Sequence, residues 1–418
     1  MVMTIVGIYT LYVLISIYTS VMQVGYINQA KRKKAVLLTS DEFLKAGNYA
    51  VEKEKLSILH SFFDYLLFIT WISFGIGLLQ KYLFFADEAV MSIAIVMGFV
   101  IINGVFSFPF SYYEKFVIDQ KYGFNKSTFG LYMKDTLISF VLTLLLGSLV
   151  VWGIFAIMSS FTLWWVWSFA FIFGIVILIN MFFPTFRAMF FDKLKPLDNE
   201  ELRGEIQALM DKTGFVSSGV FVSDASKRDA RLNAYFGGLG KTKRVVLFDT
   251  LLEKLTTKEL LAVLGHELGH FSHGDIYKNI ALVGAMLFGM FAIFGNLPES
   301  LYLELGLNAS PALVMILLLL FMPVLGFIMM PIIGIVSRHN EYEADKMGSA
   351  LAGTGGEIAL ANALQKLVSE NKSFPLSHPI YIFFHYTHPP VLERLKALGM
   401  QVEALDRTSL EGTCQAII

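Results

Sequence analysis

The chain has 418 residues, of which 55% are hydrophobic and only 16% are charged. Its mean hydropathy of +0.61 is too high for a soluble globular protein, so composition predicts an integral membrane protein. The formal net charge of −1 excludes nucleic acid as a partner. The single cysteine, Cys414, excludes an internal disulfide framework and a cysteine-rich zinc module.

Seven stretches are long and apolar enough to cross a bilayer as helices. The predicted spans are residues 4–24, 58–80, 89–110, 136–158, 163–185, 280–297 and 311–335. The first stretch lacks a basic start and a small-residue cleavage site, so we expect it to be a retained span rather than a signal peptide.

Basic residues are concentrated in alternate loops, and such loops are cytoplasmic in membrane proteins. The loop between spans one and two contains KRKK at 31–34 and three further lysines, and the loop between spans three and four contains four lysines. The other loops contain only Lys81. This asymmetry predicts an external N-terminus, with residues 186–279 and the segment from 336 in the cytoplasm.

The first of these cytoplasmic segments has the pattern of an α+β unit. A polar helical stretch, DNEELRGEIQALMDK, is followed by the strand-like sequence GVFVSD. The sequences NAYFGG and RVVLFD then predict a β-hairpin, because they are rich in aromatic and β-branched residues and joined by a glycine-rich connection.

The stretch TTKELLAVLGHELGH predicts a helix that begins at a capping box formed by Thr256 and Glu259. His266 and His270 lie one turn apart on one face of this helix, which is the spacing that lets two imidazoles bind one zinc ion. Glu267 lies one position further round, where it can reach the attacking water. Because the motif is short, this motif alone leaves an alternative to metal binding, namely that the two histidines are a chance pair on the surface of a helix.

A third zinc ligand is expected in the sequence SRHNEYEAD, which follows span seven. Spans six and seven form a hairpin, so the residues before 280 and after 335 meet at the same membrane face. Glu341 shares a helical face with Asp345, whereas Glu343 points about 200° away from Glu341. We therefore assign Glu341 to the metal and Asp345 to a supporting position that orients a ligand histidine.

Four motifs in order resemble one family: LNAYFGG followed by KRVVLFDTLL, then HELGH, EYEAD and HPPVLERL. They resemble the integral-membrane zinc metallopeptidases of the CAAX prenyl protease 1 (Ste24-like) family, within peptidase family M48. The resemblance implies an α-helical polytopic membrane protein with seven spans around an intramembrane chamber, and a cytoplasmic α+β zincin-type metalloprotease domain. The expected parts are a five-span domain (1–190), the first protease segment (191–279), a two-span hairpin (280–335) and the second protease segment (336–418).

The same resemblance implies roles for individual residues. His266, His270 and Glu341 match the ligands of one Zn²⁺ ion, and Glu267 matches the general base. His388 matches a residue that hydrogen-bonds the developing oxyanion.

Further roles follow for residues around the metal. Arg394 matches a residue that supports the site. Asn233, Ala234 and Tyr235 match an edge strand whose backbone pairs with an extended substrate.

The expected function is hydrolysis of peptide bonds near the C-terminus of prenylated CaaX-type or other membrane-associated peptides, with membrane lipid as a second partner. Two alternatives are a membrane quality-control protease of the heat-shock M48 type and a non-enzymatic seven-span protein with a structural zinc site. The sequence SKRDARLNAY departs from the pattern of eukaryotic family members, and the tail lacks an ER-retrieval signal. We therefore expect a bacterial-type cytoplasmic membrane rather than the ER.

Other polar residues have alternative interpretations. His273 is expected to be a helix-end or supporting group rather than a fourth ligand, because a fourth protein ligand would close a catalytic site. Asp64 either lines a cavity or reaches the membrane interface. Surface or packing positions are expected for His60, His339, His378 and His385.

Overall fold

The computed structural model describes residues 1–238, 243–307 and 310–401, together with the backbone of 415–416; Cys414 lies outside this part. Among the described residues, seven helices are long and apolar enough to cross a membrane, which confirms the predicted number. The first five spans are formed by α1 (Val2–Ala30), α2 (Ser40–Thr70) with α3 (Ile76–Tyr82), α4 (Glu88–Tyr113), α5 (Phe129–Ser160) and α6 (Trp164–Phe190).

These helices are longer than the predicted spans because polar residues continue them beyond the apolar stretch. Helix α2 begins far ahead of residue 58, at a capping box in which Thr39 and Glu42 satisfy each other's backbone N–H groups. A π-helical turn, Trp71–Gly75, joins α2 to α3, and a second, Glu114–Asp119, continues α4.

The soluble part contains a four-stranded sheet formed by β1 (Leu194–Pro196), β2 (Val220–Ser223), β3 (Ala234–Gly237) and β4 (Arg244–Phe248). The strand order is β1-β2-β4-β3. Strands β2 and β4 are parallel, and the other two pairs are antiparallel. The predicted hairpin is confirmed as β3 and β4, and β3 lies at the edge, whereas β1 was not predicted. The helices of this part are α7 (Glu200–Lys212), α8 (Asp249–Lys254) and α9 (Thr257–Ser272).

Spans six and seven are α10 (Asp275–Phe294) and α12 (Pro311–Leu351), joined by a connection that includes α11 (Glu299–Glu304). Helix α12 is a single element of 41 residues with Pro323 and Pro331 inside it. The predicted domain boundary between 335 and 336 therefore lies within a helix. The polar sequence after 335 contains no glycine or proline before Gly348, so the helix continues without a break.

The remaining elements complete the soluble part. They are α13 (Gly356–Glu370), α14 (Pro379–His385), α15 (Val391–Ala397) and the short strands β5 (Met400–Gln401) and β6 (Gln415–Ala416). One apolar core fills the space between the spans, and a second lies between the sheet, α7 and α9. A third joins the loop after α1 to α13 and α15, so the membrane and soluble parts are packed together.

The loops that carry the basic residues lie on the same side as the soluble part. Leu37 and Leu38, after α1, are buried in the core shared with α13. Asp119, at the end of the π turn after α4, forms an ion pair with Arg231 at 2.8 Å. The other end of α1 is distant from these contacts, because the amino group of Met1 pairs with Glu304 of α11 at 2.6 Å.

Asp64 lies in α2, facing a cavity of about 270 Å³ between the spans. The wall includes Ser16 of α1, Asn103 of α4 and Pro323 of α12. Of the two interpretations of Asp64, the structure favours the cavity.

Candidate active site

Helices α9 and α12 cross at very short range because glycines occupy the crossing. A Cβ atom on Gly348 would lie 2.5 Å from the backbone nitrogen of His266, and one on Gly269 would lie 2.9 Å from the Cα of Ala344. No larger residue fits at either position without separating the helices. The close approach brings Glu341 of α12 to the two histidines of α9.

The start of α9 is confirmed as a capping box. Thr256 accepts a hydrogen bond from the backbone of Glu259, and Glu259 accepts one from the backbone of Thr256 at 2.8 Å. Lys366 of α13 also donates to Glu259 at 2.8 Å. These contacts fix the rotation of α9, which places His266 and His270 against α12.

The two histidines and Glu341 converge on one point. Ligand atoms of the three residues all lie within 4.8 Å of one another. His266 Nε2 and His270 Nε2 are 3.2 Å apart, and these atoms lie 3.6 and 3.2 Å from the two Glu341 oxygens. Ligands 2.0–2.1 Å from a tetrahedral zinc ion are roughly 3.3 Å apart, so the spacing fits such an ion.

The second ring nitrogen of each histidine is held by a carboxylate. His266 Nδ1 lies 2.8 Å from Asp345, and His270 Nδ1 lies 2.9 Å from Asp275. Both Nδ1 atoms therefore donate, and both Nε2 atoms face Glu341; in the neutral ring, Nε2 offers its lone pair to a metal ion, and in the protonated ring it donates to the carboxylate. Asp275 was not assigned a role from sequence, although an aspartate shortly after His270 and just ahead of the predicted span six was a signal that could have been followed.

Arg394 closes the buried side of the site. It donates to both oxygens of Asp345, at 2.8 and 2.6 Å, and lies 3.2 Å from Glu341. Burial lowers the pKa of Arg394, but Asp345 and Glu341 outweigh burial and raise it above its ordinary value. Glu341 Oε2 is buried and makes no hydrogen bond, so it is available as a metal ligand.

The electrostatics of the site favour a cation. Burial lowers the pKa of His270, but its hydrogen bonds with Glu341 and Asp275 outweigh burial and raise the pKa to about 9. Glu267 contributes in the same direction through its charge. A group of carboxylates that favours a proton on a histidine also favours a metal cation in its place.

The remaining predicted groups lie around this cluster. Glu267 is half-buried, and Glu343 is exposed and points away, as its helical position predicts. The side chain of His388 is 65% exposed, and its Nε2 lies 3.2 Å from Glu341 Oε1. His388 therefore lies on the open side of the cluster, whereas Arg394 is buried.

The strand predicted to bind substrate has one open edge. Ala234 and Tyr235 belong to β3, and Asn233 is exposed just before it. β3 pairs with β4, and no strand of the described chain pairs with its other edge. The ring of Tyr235 contacts Phe183 of α6, with ring centroids 6.1 Å apart.

The other histidines lie apart from the cluster. His273 is exposed at the C-terminal end of α9, so it is a helix-end residue. His60 stacks on Phe110, His378 caps α14, His385 stacks on Tyr381, and His339 is exposed.

Comparisons with known proteins agree with this architecture along most of the chain. Residues 28–193 match a family model that describes the N-terminal part of CAAX prenyl proteases, with five membrane helices. Residues 196–401 match the model for peptidase family M48. The two matches correspond to the first membrane part and to the part that contains the cluster.

Individual relatives are similar over most of their length. The CAAX prenyl protease 1 homolog of Taenia solium is 30% identical over 90% of each chain. CAAX prenyl protease 1 of Saccharomyces cerevisiae is 31% identical over 86% of each. The crystal structure of S. mikatae Ste24p superimposes with a TM-score of 0.86 and 28% identity, covering 95% of this chain and 98% of that one. The chain therefore belongs to the CAAX prenyl protease 1 family and is a multi-pass membrane metalloendopeptidase of peptidase family M48.

Proposed function

We propose that the metal is zinc, one ion per chain, held by His266, His270 and Glu341. Two imidazoles and a carboxylate are a common ligand set of catalytic zinc, and they leave a fourth position open. Bound there, zinc supplies Lewis-acid chemistry that activates a water and polarises a carbonyl. The two Nε2 atoms lie 3.2 Å apart, and each lies within 3.6 Å of one Glu341 oxygen, which supports this assignment. The buried Glu341 Oε2 makes no hydrogen bond, which supports it further.

Side chains of the protein then transfer the protons and stabilise the developing negative charge. Glu267 accepts a proton from the attacking water and returns it to the leaving amine. His388, on the open side, donates a hydrogen bond to the oxyanion. Asp345, Asp275 and Arg394 position the ligands.

The substrate is proposed to bind as an added strand beside β3. An extended peptide can hydrogen-bond to the backbone of Asn233, Ala234 and Tyr235, and this recognises the chain without regard to its side chains. Since backbone pairing cannot distinguish one peptide from another, selectivity has to come from elsewhere.

We propose that the substrates are C-terminal CaaX peptides with an isoprenoid on the cysteine, as the names of the relatives suggest. The observation that carries this proposal is the continuity of the site with the membrane: Glu341 lies on α12, and Asp275 begins α10. Away from the cluster both helices are apolar, with no charged side chain in residues 279–294 of α10 or 311–337 of α12, so a lipid can lie against them. Burial of even roughly 100 Å² of isoprenoid would contribute about 2.5 kcal/mol, or nearly a hundredfold in affinity.

The soluble part is proposed to face the cytoplasm, because the basic loops lie on its side and Met1 lies at the other end of α1. For the membrane itself we propose a bacterial-type cytoplasmic membrane, on the basis of the divergent segment SKRDARLNAY.

The function is tested with one C-terminal peptide in farnesylated and unmodified forms, incubated with the purified chain. Mass spectrometry locates the cut in each, and initial rates give KM. We expect the same cut position in both, and a KM lower by about tenfold or more for the farnesylated peptide. Equal KM values would reject lipid recognition and favour general proteolysis of membrane-associated peptides.

A further inference from the structure

His388 lies in a short segment between two helices. The segment runs from Tyr386, where α14 ends, to Pro390, where α15 begins. Within it, Thr387 Oγ1 lies 3.0 Å from His388 Nδ1, and His388 Nε2 lies 3.2 Å from Glu341 Oε1. The position of the imidazole relative to Glu341 therefore depends on how the two ends of this segment are held.

The end after His388 is held by Arg394. This residue belongs to α15, and its guanidinium donates to both oxygens of Asp345 on α12. Asp345 lies four residues after Glu341 on the same helix. The contact therefore attaches one end of the segment to the helix that carries the ligand.

The end before His388 is held by Arg338, which also lies on α12. Its Nη1 donates to the backbone carbonyl of Tyr386 at 2.6 Å and lies 3.4 Å from the carbonyl oxygen of Ile382. Both carbonyls lie at the C-terminal end of α14, where a helix leaves carbonyl groups without helical donors. Arg338 lies three residues before Glu341, so α12 holds both ends of the segment, on either side of the ligand.

A glycine of α12 leaves the space that this contact occupies. A Cβ atom on Gly334 would lie 2.6 Å from Arg338 Nη1 and 2.7 Å from the carbonyl oxygen of Tyr386. Glycine inside a helix is less stable than alanine. With any larger residue at this position, the guanidinium or the backbone of Tyr386 would have to move.

We propose that Arg338 is a positioning residue for His388: it holds the Tyr386 carbonyl and thereby keeps the imidazole within reach of the oxyanion. The proposal rests on the oxyanion role proposed for His388, but not on the identity of the substrate. Because the oxyanion forms only in the transition state, loss of this positioning should lower kcat and leave KM nearly unchanged.

Four substitutions on α12 test the contact. Arg338→Ala removes it, and Arg338→Lys keeps a cationic donor near the carbonyl. Gly334→Ala displaces the contact without removing the charge. Gly326→Ala is the matched control, because a Cβ atom there meets nothing within 4 Å.

Steady-state kinetics with one peptide and zinc content are measured for each full-length chain. We expect kcat to fall about tenfold in Arg338→Ala and several-fold in Gly334→Ala, with partial recovery in Arg338→Lys. Zinc content and KM should stay unchanged in all of them, and Gly326→Ala should match the unsubstituted chain. A rise in KM at constant kcat, or loss of zinc in Arg338→Ala, would overturn the proposal.

A double substitution distinguishes positioning of His388 from a general structural role. If Arg338 acts through His388, Arg338→Ala should have little further effect on kcat in a His388→Ala background. An equal fall in both backgrounds would show that Arg338 acts by another route and would overturn the proposal.

Hydrogen exchange tests the contact independently of catalysis. Without Arg338 the last turn of α14 loses a donor, so the amides of residues 383–388 should exchange at least about threefold faster in Arg338→Ala than in Gly326→Ala. Equal exchange in the two variants would overturn the proposal while leaving the peptidase function intact. If the unsubstituted chain cleaves no peptide, the peptidase function fails, and faster exchange in Arg338→Ala still supports the positioning contact.

Discussion

Asp275 accepts a hydrogen bond from His270 Nδ1 at 2.9 Å, so the first residue of α10 orients a histidine near the end of α9. The carboxylate is almost fully buried, and its other oxygen accepts from Lys278 at 2.8 Å. A membrane span thus takes part directly in holding one histidine of the cluster. Any shift of α10 would therefore displace the His270 ring.

We expect Asp275→Ala to lower metal affinity about tenfold or more, because such carboxylates fix the tautomer and orientation of a ligand histidine. Lys278→Ala is the matched control, since it removes the exposed neighbour and leaves the carboxylate in place. Titration with zinc against a competing chelator measures both. Equal affinities in the two variants would show that Asp275 does not support the ligand.

The ligand assignment is tested by two neighbouring glutamates. Glu341 is buried at the cluster and Glu343 is exposed, so Glu341→Ala should lose most of the bound zinc while Glu343→Ala keeps it. Metal content of the purified, monodisperse proteins is measured by mass spectrometry. Similar zinc content in the two variants would overturn the assignment.

Arg231 is predicted to position the substrate strand. Its guanidinium bonds to Asp119 and Asp229 at 2.8 and 2.6 Å and lies 4.1 Å from the ring of Phe124, which ties the segment before β3 to the membrane part. Arg231→Ala should raise KM several-fold and change kcat less, because the strand edge loosens while the metal cluster is untouched.

Steady-state kinetics with one peptide measures the effect of Arg231→Ala. Arg203→Ala, which removes an exposed pair with Glu200, is the control and should change neither constant. A fall in kcat at constant KM would assign Arg231 to a different role.

The elements with a strong local pattern were predictable from sequence. The seven spans follow from apolar length, and the hairpin of β3 and β4 follows from aromatic and β-branched content together with a glycine-rich connection. The position of Glu341 rather than Glu343 follows from helical geometry together with the hairpin of spans six and seven.

Other features depend on contacts between distant segments, which local patterns do not encode. β1 is only three residues long and exists through its pairing with β2. The continuity of α12 could not be read from hydropathy, because a helix does not end where its apolar stretch ends. The arginines of the segment SKRDARLNAY also act through distant contacts: Arg228 pairs with Asp135 of α5, and Arg231 with Asp119.

The orientation in the membrane is tested by cysteine labelling in a Cys414→Ser background. A cysteine at Ser300, which is exposed in α11, should react with an impermeant thiol reagent applied to intact cells. A cysteine at Ser218, which is exposed in the soluble part, should react only after the cells are opened. The reverse pattern would invert the topology.

The central claim is that His266, His270 and Glu341 hold a catalytic zinc ion while Glu267 serves as the base. Glu267→Gln tests it most directly, because the substitution keeps the shape and removes the proton acceptor. Zinc content and peptide cleavage are measured on the same purified sample. The account predicts about one zinc per chain and a loss of cleavage by at least about a hundredfold. Loss of the metal together with activity, or cleavage at the unsubstituted rate, would contradict it.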